Sequence, residues 1–327
     1  MAPLLEADHL KKYFPTGASK LLLRPTGEVL AVDDISFTLE AGRTLGVVGE
    51  SGCGKSTLGR VLSMLLRPTG GAVRMNGVDL GSLSNKELNQ MRRDIQMVFQ
   101  DPYACLNPRH SIGESITTPM KVQNLHDKAG RRKRVQELMD LVGLNPEHYN
   151  RFPHEFSGGQ RQRVGIARAL ALNPKVIIAD EPVSALDVSI QSQILNLLEN
   201  LQKELGLSYV FIAHDLAVVR HIADDVAVMY LGKFAEYGTA SSVYKSPRHP
   251  YTKALMSAAP VPNPVAGREH KRIMLTGDVP SPVNPPSGCR FRTRCWKATD
   301  KCANEEPQLV QVSVGHQVAC HFPEPEA

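Results

Sequence analysis

The sequence lacks any run of about 18 consecutive apolar residues, which is the length that a membrane-spanning helix needs. Its first residues, MAPLLEADHLKK, also lack the long apolar core of a signal peptide. A strong excess of charge of one sign is missing too, since 38 basic and 33 acidic residues leave a net charge of +5, which is too mild and too scattered to indicate nucleic-acid binding. We therefore expect a cytosolic globular chain, and 327 residues with 42% hydrophobic content suffice for one large core and a smaller appendage.

A glycine-rich segment, GESGCGKST at residues 49–57, matches the phosphate-binding pattern G-x-x-x-x-G-K-[ST]. It follows an apolar run at residues 45–48 and precedes apolar residues at helical spacing through Leu66, so we expect a strand, a loop and a helix. Glycines let such a loop turn its N–H groups toward phosphate, while Lys55 adds a positive charge and Ser56 is placed to ligate magnesium. We interpret Cys53 as a small neutral filler. The candidate nucleotide-binding residues of the loop are Gly49, Glu50, Ser51, Gly52, Cys53, Gly54, Lys55, Ser56 and Thr57.

An acidic pair, Asp180 and Glu181, follows an apolar run at residues 176–179 that predicts a buried parallel strand. Open parallel sheets bind their ligands at the carboxyl ends of the strands. We expect Asp180 to hold magnesium through water and Glu181 to polarise the water that attacks the γ-phosphate of ATP. Phosphoryl transfer depends on such positioning and charge neutralisation.

A second glycine motif, SGGQ, opens a segment with apolar residues at helical spacing, and its serine is the expected N-cap of that helix. The N-terminus of a helix attracts anions. Because the phosphate loop already supplies one anion site, a second site indicates that two chains sandwich each ATP. Each chain would give four signature residues to the nucleotide of the other, namely Ser157, Gly158, Gly159 and Gln160.

These motifs, in this order, make residues 1 to about 240 resemble the nucleotide-binding subunits of ATP-binding-cassette (ABC) transporters. The resemblance implies an α/β fold, an ABC-type P-loop NTPase core with a helical subdomain inserted at about residues 101–155. It implies ATP and Mg²⁺ as cofactors, with Gln100 joining Ser56 and Asp180 at the magnesium. Tyr13 would stack on adenine, with Phe14 as the alternative aromatic, and His214 would contact the γ-phosphate beside the base Glu181. A loop crossing the dimer interface is implied at Ser184, Ala185, Leu186 and Asp187.

The segment RHPYTKAL, residues 248–255, and the sequence after it resemble ATPases of dipeptide and oligopeptide importers, in particular the second ATPase of such importers. That resemblance implies a nucleotide-binding domain at 1–240, followed by an importer-type C-terminal extension at 241–327. It implies a heterodimer with a second ABC ATPase, two membrane permease subunits and an extracytoplasmic peptide-binding protein. The chain would lie at the cytoplasmic face of the membrane, without nucleic acid. Related importers carry nickel, glutathione or short sugars, and a soluble non-transport ABC ATPase is the alternative from another class.

Four of the six cysteines fall in this extension, at Cys289, Cys295, Cys302 and Cys320. Reducing cytosol argues against disulfides, whereas four converging thiolates suit an iron–sulfur cluster or zinc. The spacing C-x5-C-x6-C-x17-C matches neither common zinc knuckles nor ferredoxin runs, so a cluster, zinc and unligated thiols all remain open. The family resemblance implies a [4Fe-4S] cluster in this cysteine-containing extension. His316 and His321 are further ligand candidates.

Overall fold

The computed structural model describes residues 3–17, 27–258 and 272–326. The strands in these ranges are β1 (Leu5–Thr16), β2 (Gly27–Leu39), β3 (Thr44–Val48), β4 (Gly70–Met75), β5 (Val78–Asp79), β6 (Ile95–Val98), β7 (Val176–Asp180), β8 (Ser208–Ala213), β9 (Asp225–Tyr230), β10 (Lys233–Thr239), β11 (Val310–Ser313) and β12 (His316–Val318). The α-helices are α1 (Lys55–Leu62), α2 (Asn85–Met91), α3 (Pro102–Cys105), α4 (Ile112–Val122), α5 (Lys128–Leu141), α6 (Gly158–Leu170), α7 (Val188–Leu205), α8 (Leu216–Ile222), α9 (Ala240–Lys245), α10 (Pro250–Ala258) and α11 (Asp300–Asn304). Short 3-10 turns lie at Pro146–Asn150, Pro153–Glu155 and Arg292–Arg294. None of the helices in the described ranges is long and apolar enough to cross a membrane.

The elements form two compact units. The first comprises Met1–Leu39, Thr44–Gly81 and Ala213–Ala327, and it carries the phosphate loop and the C-terminal cysteines. The second comprises Glu40–Arg43 and Ser82–Ile212, and it carries the Asp-Glu pair and SGGQ. The phosphate loop and the Asp-Glu pair therefore belong to different units.

The first unit contains two groups of strands. Antiparallel strands β2, β1, β4 and β5 pair in that order. In the other group β3 pairs parallel with β9, and the pairing continues antiparallel from β9 through β10 and β12 to β11. Every residue of β3 is buried, as expected for a continuous apolar strand that is covered on both faces.

The second unit is built on three parallel strands, with β7 between β6 and β8. Val176 stands opposite Ile95 on one side and Ser208 on the other. All residues of β7 and β8 are buried, which confirms the expectation of a buried strand before the Asp-Glu pair. Helices α4 and α5 lie between β6 and β7, in the region where the resemblance implies a helical subdomain.

Helix α1 is shorter than its apolar spacing predicts. It ends at Leu62, and Met64 takes a left-handed backbone conformation with φ of 54°, so Leu65 is 52% exposed. The physical reason is Pro68, since the proline ring clashes with a helical carbonyl four residues earlier and disfavours helical geometry in the residue before it. The spacing through Leu66 was therefore misleading about the length of the helix.

A buried carboxylate ties the C-terminal elements of the first unit together. Glu236 of β10 is 0% exposed and accepts hydrogen bonds from the N–H groups of Arg248 (2.7 Å) and His249 (2.9 Å). It also lies 2.6 Å from Nε2 of His316 in β12. Burial lowers the pKa of His249 to about 4, and its Nδ1 accepts the N–H of Tyr251 at 3.0 Å. The start of α10 and strand β12 are thus fixed to one side chain.

Candidate active site

The phosphate loop runs from the end of β3 to the start of α1 and lies against the backbone of neighbouring strands. Gly54 has φ of 108°, and a Cβ added there would lie 1.9 Å from the carbonyl oxygen of Ala31. A Cβ at Gly49 would lie 2.2 Å from the carbonyl oxygen of Met229. Only glycine fits at either position, which explains why the loop needs these residues. The predicted order of strand, loop and helix is confirmed.

Lys55 lies along the inside of this loop. Only 4% of Lys55 is exposed, and its Nζ donates to the carbonyl oxygens of Gly49 (2.7 Å) and Glu50 (2.9 Å). Burial raises the pKa of the Cys53 thiol despite the nearby Lys55 charge, so this cysteine is a neutral group, as interpreted from the sequence. The other loop residues form a more open rim, with Ser51 and Gly52 exposed and Ser56 and Thr57 half-buried.

Glu50 of the same loop is held by residues far away in the sequence. Its N–H donates to the hydroxyl of Tyr251 at 2.8 Å. Its carboxylate accepts two hydrogen bonds from the guanidinium of Arg294, at 2.6 and 3.1 Å. Both partners belong to the C-terminal extension, and sequence reasoning assigned neither of them to the nucleotide site.

Tyr13, the candidate adenine-stacking residue, is half-buried in β1. Its hydroxyl donates to Asp33, which also accepts a hydrogen bond from Arg290. Burial alone would raise the pKa of Asp33, but the Tyr13 hydrogen bond and the charges of Lys233 and Arg290 lower it below its ordinary value. Tyr13 is therefore tied to a carboxylate at its hydroxyl end, which fixes the orientation of its ring.

In the second unit, the acidic pair stands at the carboxyl end of β7. Asp180 is 3% exposed, and Glu181 takes a left-handed backbone conformation with φ of 44°. The N–H of Glu181 donates to the carbonyl of Ile212 at 2.9 Å, while its Oε2 accepts a hydrogen bond from Nε2 of Gln100 at 2.7 Å. A left-handed conformation outside glycine is unfavourable and concentrates at functional sites. The structure thus brings together Gln100 and Glu181, two residues predicted to share a site.

SGGQ opens α6 with a capping box. Ser157 Oγ accepts the N–H of Gln160 at 3.3 Å, and Gln160 Oε1 accepts the N–H of Ser157 at 2.9 Å. This confirms the expected N-cap. A Cβ at Gly159 would lie 2.5 Å from Cγ2 of Ile190 in α7, and one at Gly158 would lie 3.3 Å from Cδ2 of Leu186. The signature glycines therefore pack closely on the loop at residues 184–187 and the helix that follows it.

The loop at residues 184–187 is held by side-chain hydrogen bonds to backbone carbonyls. Ser184 Oγ donates to the carbonyl of Glu181 at 3.1 Å, and Nε2 of Gln191 donates to the carbonyls of Val183 and Leu186, each at 3.0 Å. Ala185 and Asp187 are exposed, as residues that contact another chain need to be. His214 follows β8 and is also exposed, but it belongs to the first unit.

The four cysteines of the extension line one small cavity of about 10 Å³, together with His321. They are free thiols, and burial raises the pKa of Cys289 and of Cys320 to about 11. N–H groups of Lys297 and Phe322 donate to the sulfurs of Cys295 (3.4 Å) and Cys320 (3.3 Å). Across residues 3–17, 27–258 and 272–326, no three His, Cys, Asp or Glu side chains are arranged to hold a metal ion. His316 is instead bonded to Glu236.

Two family models match the sequence. Residues 32–184 match the model described as ABC transporter, and residues 235–302 match the oligopeptide/dipeptide transporter C-terminal region. The dipeptide transport ATP-binding protein DppF of Escherichia coli is 53% identical over 97% of this chain and 94% of its own length. The oligopeptide transport ATP-binding protein OppF of Haemophilus influenzae is 55% identical over 97% of this chain and 96% of its own length.

A solved structure agrees with these matches. The dimeric post-hydrolysis state of the ATP-binding cassette MJ0796, bound to ADP and phosphate, is 30% identical with a TM-score of 0.63, covering 72% of this chain and 98% of that chain. The chain belongs to the ABC transporter family. Its fold is the mixed α/β fold of an ABC ATPase cassette, and the expectation of an ABC-type P-loop core is confirmed.

As an ABC ATPase, the chain binds ATP with Mg²⁺ and hydrolyses it. The candidate motifs for this chemistry are short, continuous segments, which sequence reasoning can recognise. The contacts that it missed are those of Tyr251, Arg290 and Arg294. The HPYT segment marked Tyr251 only as part of a family resemblance, and the two arginines carry no local signal, since 244 residues separate Arg294 from Glu50.

Proposed function

We propose that this ABC ATPase powers the import of dipeptides and oligopeptides through a membrane importer. The observation that carries the proposal is the match of residues 235–302 to the C-terminal region of oligopeptide and dipeptide transporters. Near full-length similarity to dipeptide and oligopeptide transport ATP-binding proteins supports it.

The proposed mechanism places ATP between the phosphate loop of one subunit and SGGQ of the other. The loop N–H groups and Lys55 bind the phosphates, and Tyr13 stacks on adenine. Glu181, whose carboxylate is oriented by Gln100, accepts the proton of the attacking water, while His214 contacts the γ-phosphate. Binding closes the two subunits, and hydrolysis lets them separate.

Magnesium, when bound with ATP, neutralises charge on the β- and γ-phosphates. Ser56, Gln100 and Asp180 would hold it. Their hydroxyl, amide and carboxylate oxygens are the donors that Mg²⁺ prefers, and the buried carboxylate of Asp180 at a strand end fits this role. Ser56 belongs to the first unit and Asp180 to the second.

The subunit would act as one half of a heterodimer with a second ABC ATPase. We place the pair on two membrane permease subunits, at the cytoplasmic face of the membrane, with an extracytoplasmic binding protein delivering the peptide. The exposed Gln100 loop, which contacts Glu181, is the part of this chain that would report the state of the nucleotide to a permease.

The solute is tested with the whole importer rather than with this chain. The complex is purified with its binding protein, and the trapped ligand is identified by mass spectrometry. We expect short peptides of mixed sequence. Trapped nickel, glutathione or a short sugar would overturn the peptide assignment, and recovery of the chain only with ribosomes or nucleic acid would overturn transport altogether.

We also propose that the cysteine cavity holds a [4Fe-4S] cluster, with zinc as the alternative. Four cysteine sulfurs line one cavity, and backbone N–H groups donate to two of them, which are features of iron–sulfur ligands. The cavity of about 10 Å³ has room for about one water, so the thiols would have to spread to admit a cluster. Thiolates are the donors that a soft metal centre uses, but in the described residues these four are not arranged to hold a metal ion, so ligation would have to move them together as well as deprotonate them.

Metal content tests this proposal directly. Protein purified without oxygen is expected to contain about four irons and four sulfides per chain, and Cys302→Ser is expected to lose them. Cys105→Ser is the matched control, because Cys105 lies in the other unit and its variant keeps all four cavity cysteines. A content of about one zinc per chain would show that the site is a structural zinc site instead of an iron–sulfur cluster. Protein that contains neither metal would refute both the cluster and the zinc alternative.

A further inference from the structure

The cysteine segment, defined as residues 288–302, contacts the phosphate loop. It contains three of the four cavity cysteines, and Arg294 directly precedes Cys295. The guanidinium of Arg294 pairs with the carboxylate of Glu50 through two separate N–H···O bonds, at 2.6 and 3.1 Å. Paired bonds of this kind fix direction as well as distance, which a lysine cannot do.

This ion pair is largely shielded from water. Only 8% of the Arg294 side chain and 24% of the Glu50 side chain are exposed. Most surface ion pairs contribute little, whereas a shielded, doubly bonded pair holds its partners in one geometry.

The backbone of Glu50 is also held by hydrogen bonds. Its N–H donates to the hydroxyl of Tyr251, and the fully buried Tyr251 ring packs on Phe291 of the cysteine segment, with ring centroids 5.3 Å apart. The carbonyl oxygen of Glu50 in turn accepts a hydrogen bond from Lys55 at 2.9 Å. The residue that orients the phosphate-binding lysine is therefore anchored twice on the extension.

The cysteine segment has its own attachment, independent of Arg294. Arg290 donates to the carbonyl of Leu231 and to Asp33. The neighbouring N–H of Gly232 donates to the carbonyl of Cys53 in the phosphate loop at 2.8 Å. A segment fixed in this way holds Arg294 at a defined distance from the loop, so the position of Glu50 depends on the segment.

We propose that Arg294 is a positioning residue of the nucleotide site, which holds Glu50 so that the loop N–H groups and Lys55 keep the geometry that phosphate binding requires. Arg294 touches neither nucleotide nor reacting atoms in this role. The inference rests on the proposed nucleotide-binding role of residues 49–57, and it holds whichever solute the importer carries and whichever metal the cysteines bind.

The test compares Arg294→Gln with Arg292→Gln in the full chain. Arg292 is the matched control, because it lies in the same segment and, within the described residues, its side chain donates to Ser287 rather than to Glu50. Titration with a fluorescent ATP analogue and Mg²⁺ is expected to give a Kd about tenfold higher for Arg294→Gln and unchanged for Arg292→Gln. In the assembled importer, KM for ATP should rise with kcat nearly unchanged, the signature of lost uniform binding.

Two further variants separate positioning from folding. Arg294→Lys keeps the charge without the paired bonds and should fall between wild type and Arg294→Gln. Glu50→Gln breaks the pair from the loop side, away from the cysteines, and should raise Kd as Arg294→Gln does. The double variant should bind no more weakly than either single variant, because both act through one contact.

The outcomes are distinguishable. Wild-type protein that binds no nucleotide would refute the proposed function of the loop. Wild-type protein that binds nucleotide, with unchanged Kd in Arg294→Gln and Glu50→Gln, would overturn the positioning role. Additive effects in the double variant would also overturn it. If Arg294→Gln loses the metal of the cysteine cavity or fails to fold, the comparison of Glu50→Gln with wild type decides the question.

Discussion

Glu181→Gln is expected to bind MgATP with wild-type affinity and to hydrolyse it at least about a hundredfold more slowly. The amide keeps the shape of the side chain, and its oxygen can still accept the hydrogen bond from Gln100. It cannot, however, accept a proton from the attacking water. The strained backbone at Glu181 is unaffected, so the loss would be one of chemistry rather than of structure.

The rate of phosphate release at saturating ATP measures hydrolysis, and a nucleotide-binding titration measures the affinity for MgATP. Glu204→Gln makes the same chemical change on an exposed position of α7 and should hydrolyse ATP normally. Full hydrolysis by Glu181→Gln would refute Glu181 as the base. Loss of binding in the same variant would instead make Glu181 part of the binding site.

Glu236→Gln is expected to lower the free energy of unfolding by about 3 kcal/mol. The two carboxylate oxygens of Glu236 accept from the N–H groups of Arg248 and His249, and one of them also faces Nε2 of His316. The glutamine amide has only one acceptor oxygen. Its NH₂ group would point a donor at a backbone N–H that is itself a donor. Because the side chain is 0% exposed, water cannot replace the lost bonds.

Urea unfolding provides the measurement, with Glu6→Gln as the control. Glu6 pairs with Arg74 at 3.1 Å, but both side chains are 31% exposed, so its substitution should change stability by less than about 1 kcal/mol. Equal effects of the two substitutions would contradict the stabilising role of the buried network.

The parts of the site that are local in sequence could be predicted from sequence. The phosphate loop, the strand before Asp180 and the cap at Ser157 depend on neighbouring residues and on a repeat of two or 3.6 residues, which a single sequence displays directly. The length of α1 could not be predicted from apolar spacing, because Leu66 fits the helical repeat although the chain has already turned at Met64.

Contacts between distant residues carry no such signal. His316, considered as a metal ligand, lies 80 residues from Glu236 in the sequence and is bonded to it. The hydrogen bonds between Arg294 and Glu50 join residues that are 244 positions apart in the sequence. Neither an arginine nor a glutamate at its position suggests such a contact from the neighbouring sequence. The left-handed backbone at Glu181 likewise has no counterpart in composition or in hydrophobic periodicity.

The pairing of β12 with β10 has a consequence for how the chain can be divided. Glu236 of β10 stands opposite Val318 of β12, and β11 covers the outer side of β12. A chain cut near residue 240 would leave β10 with a row of bare N–H and C=O groups, the kind of edge on which other chains add and aggregate. The C-terminal strands thus protect the edge of β10 from pairing with other chains. A cassette truncated before them is expected to aggregate more readily in solution than the full chain.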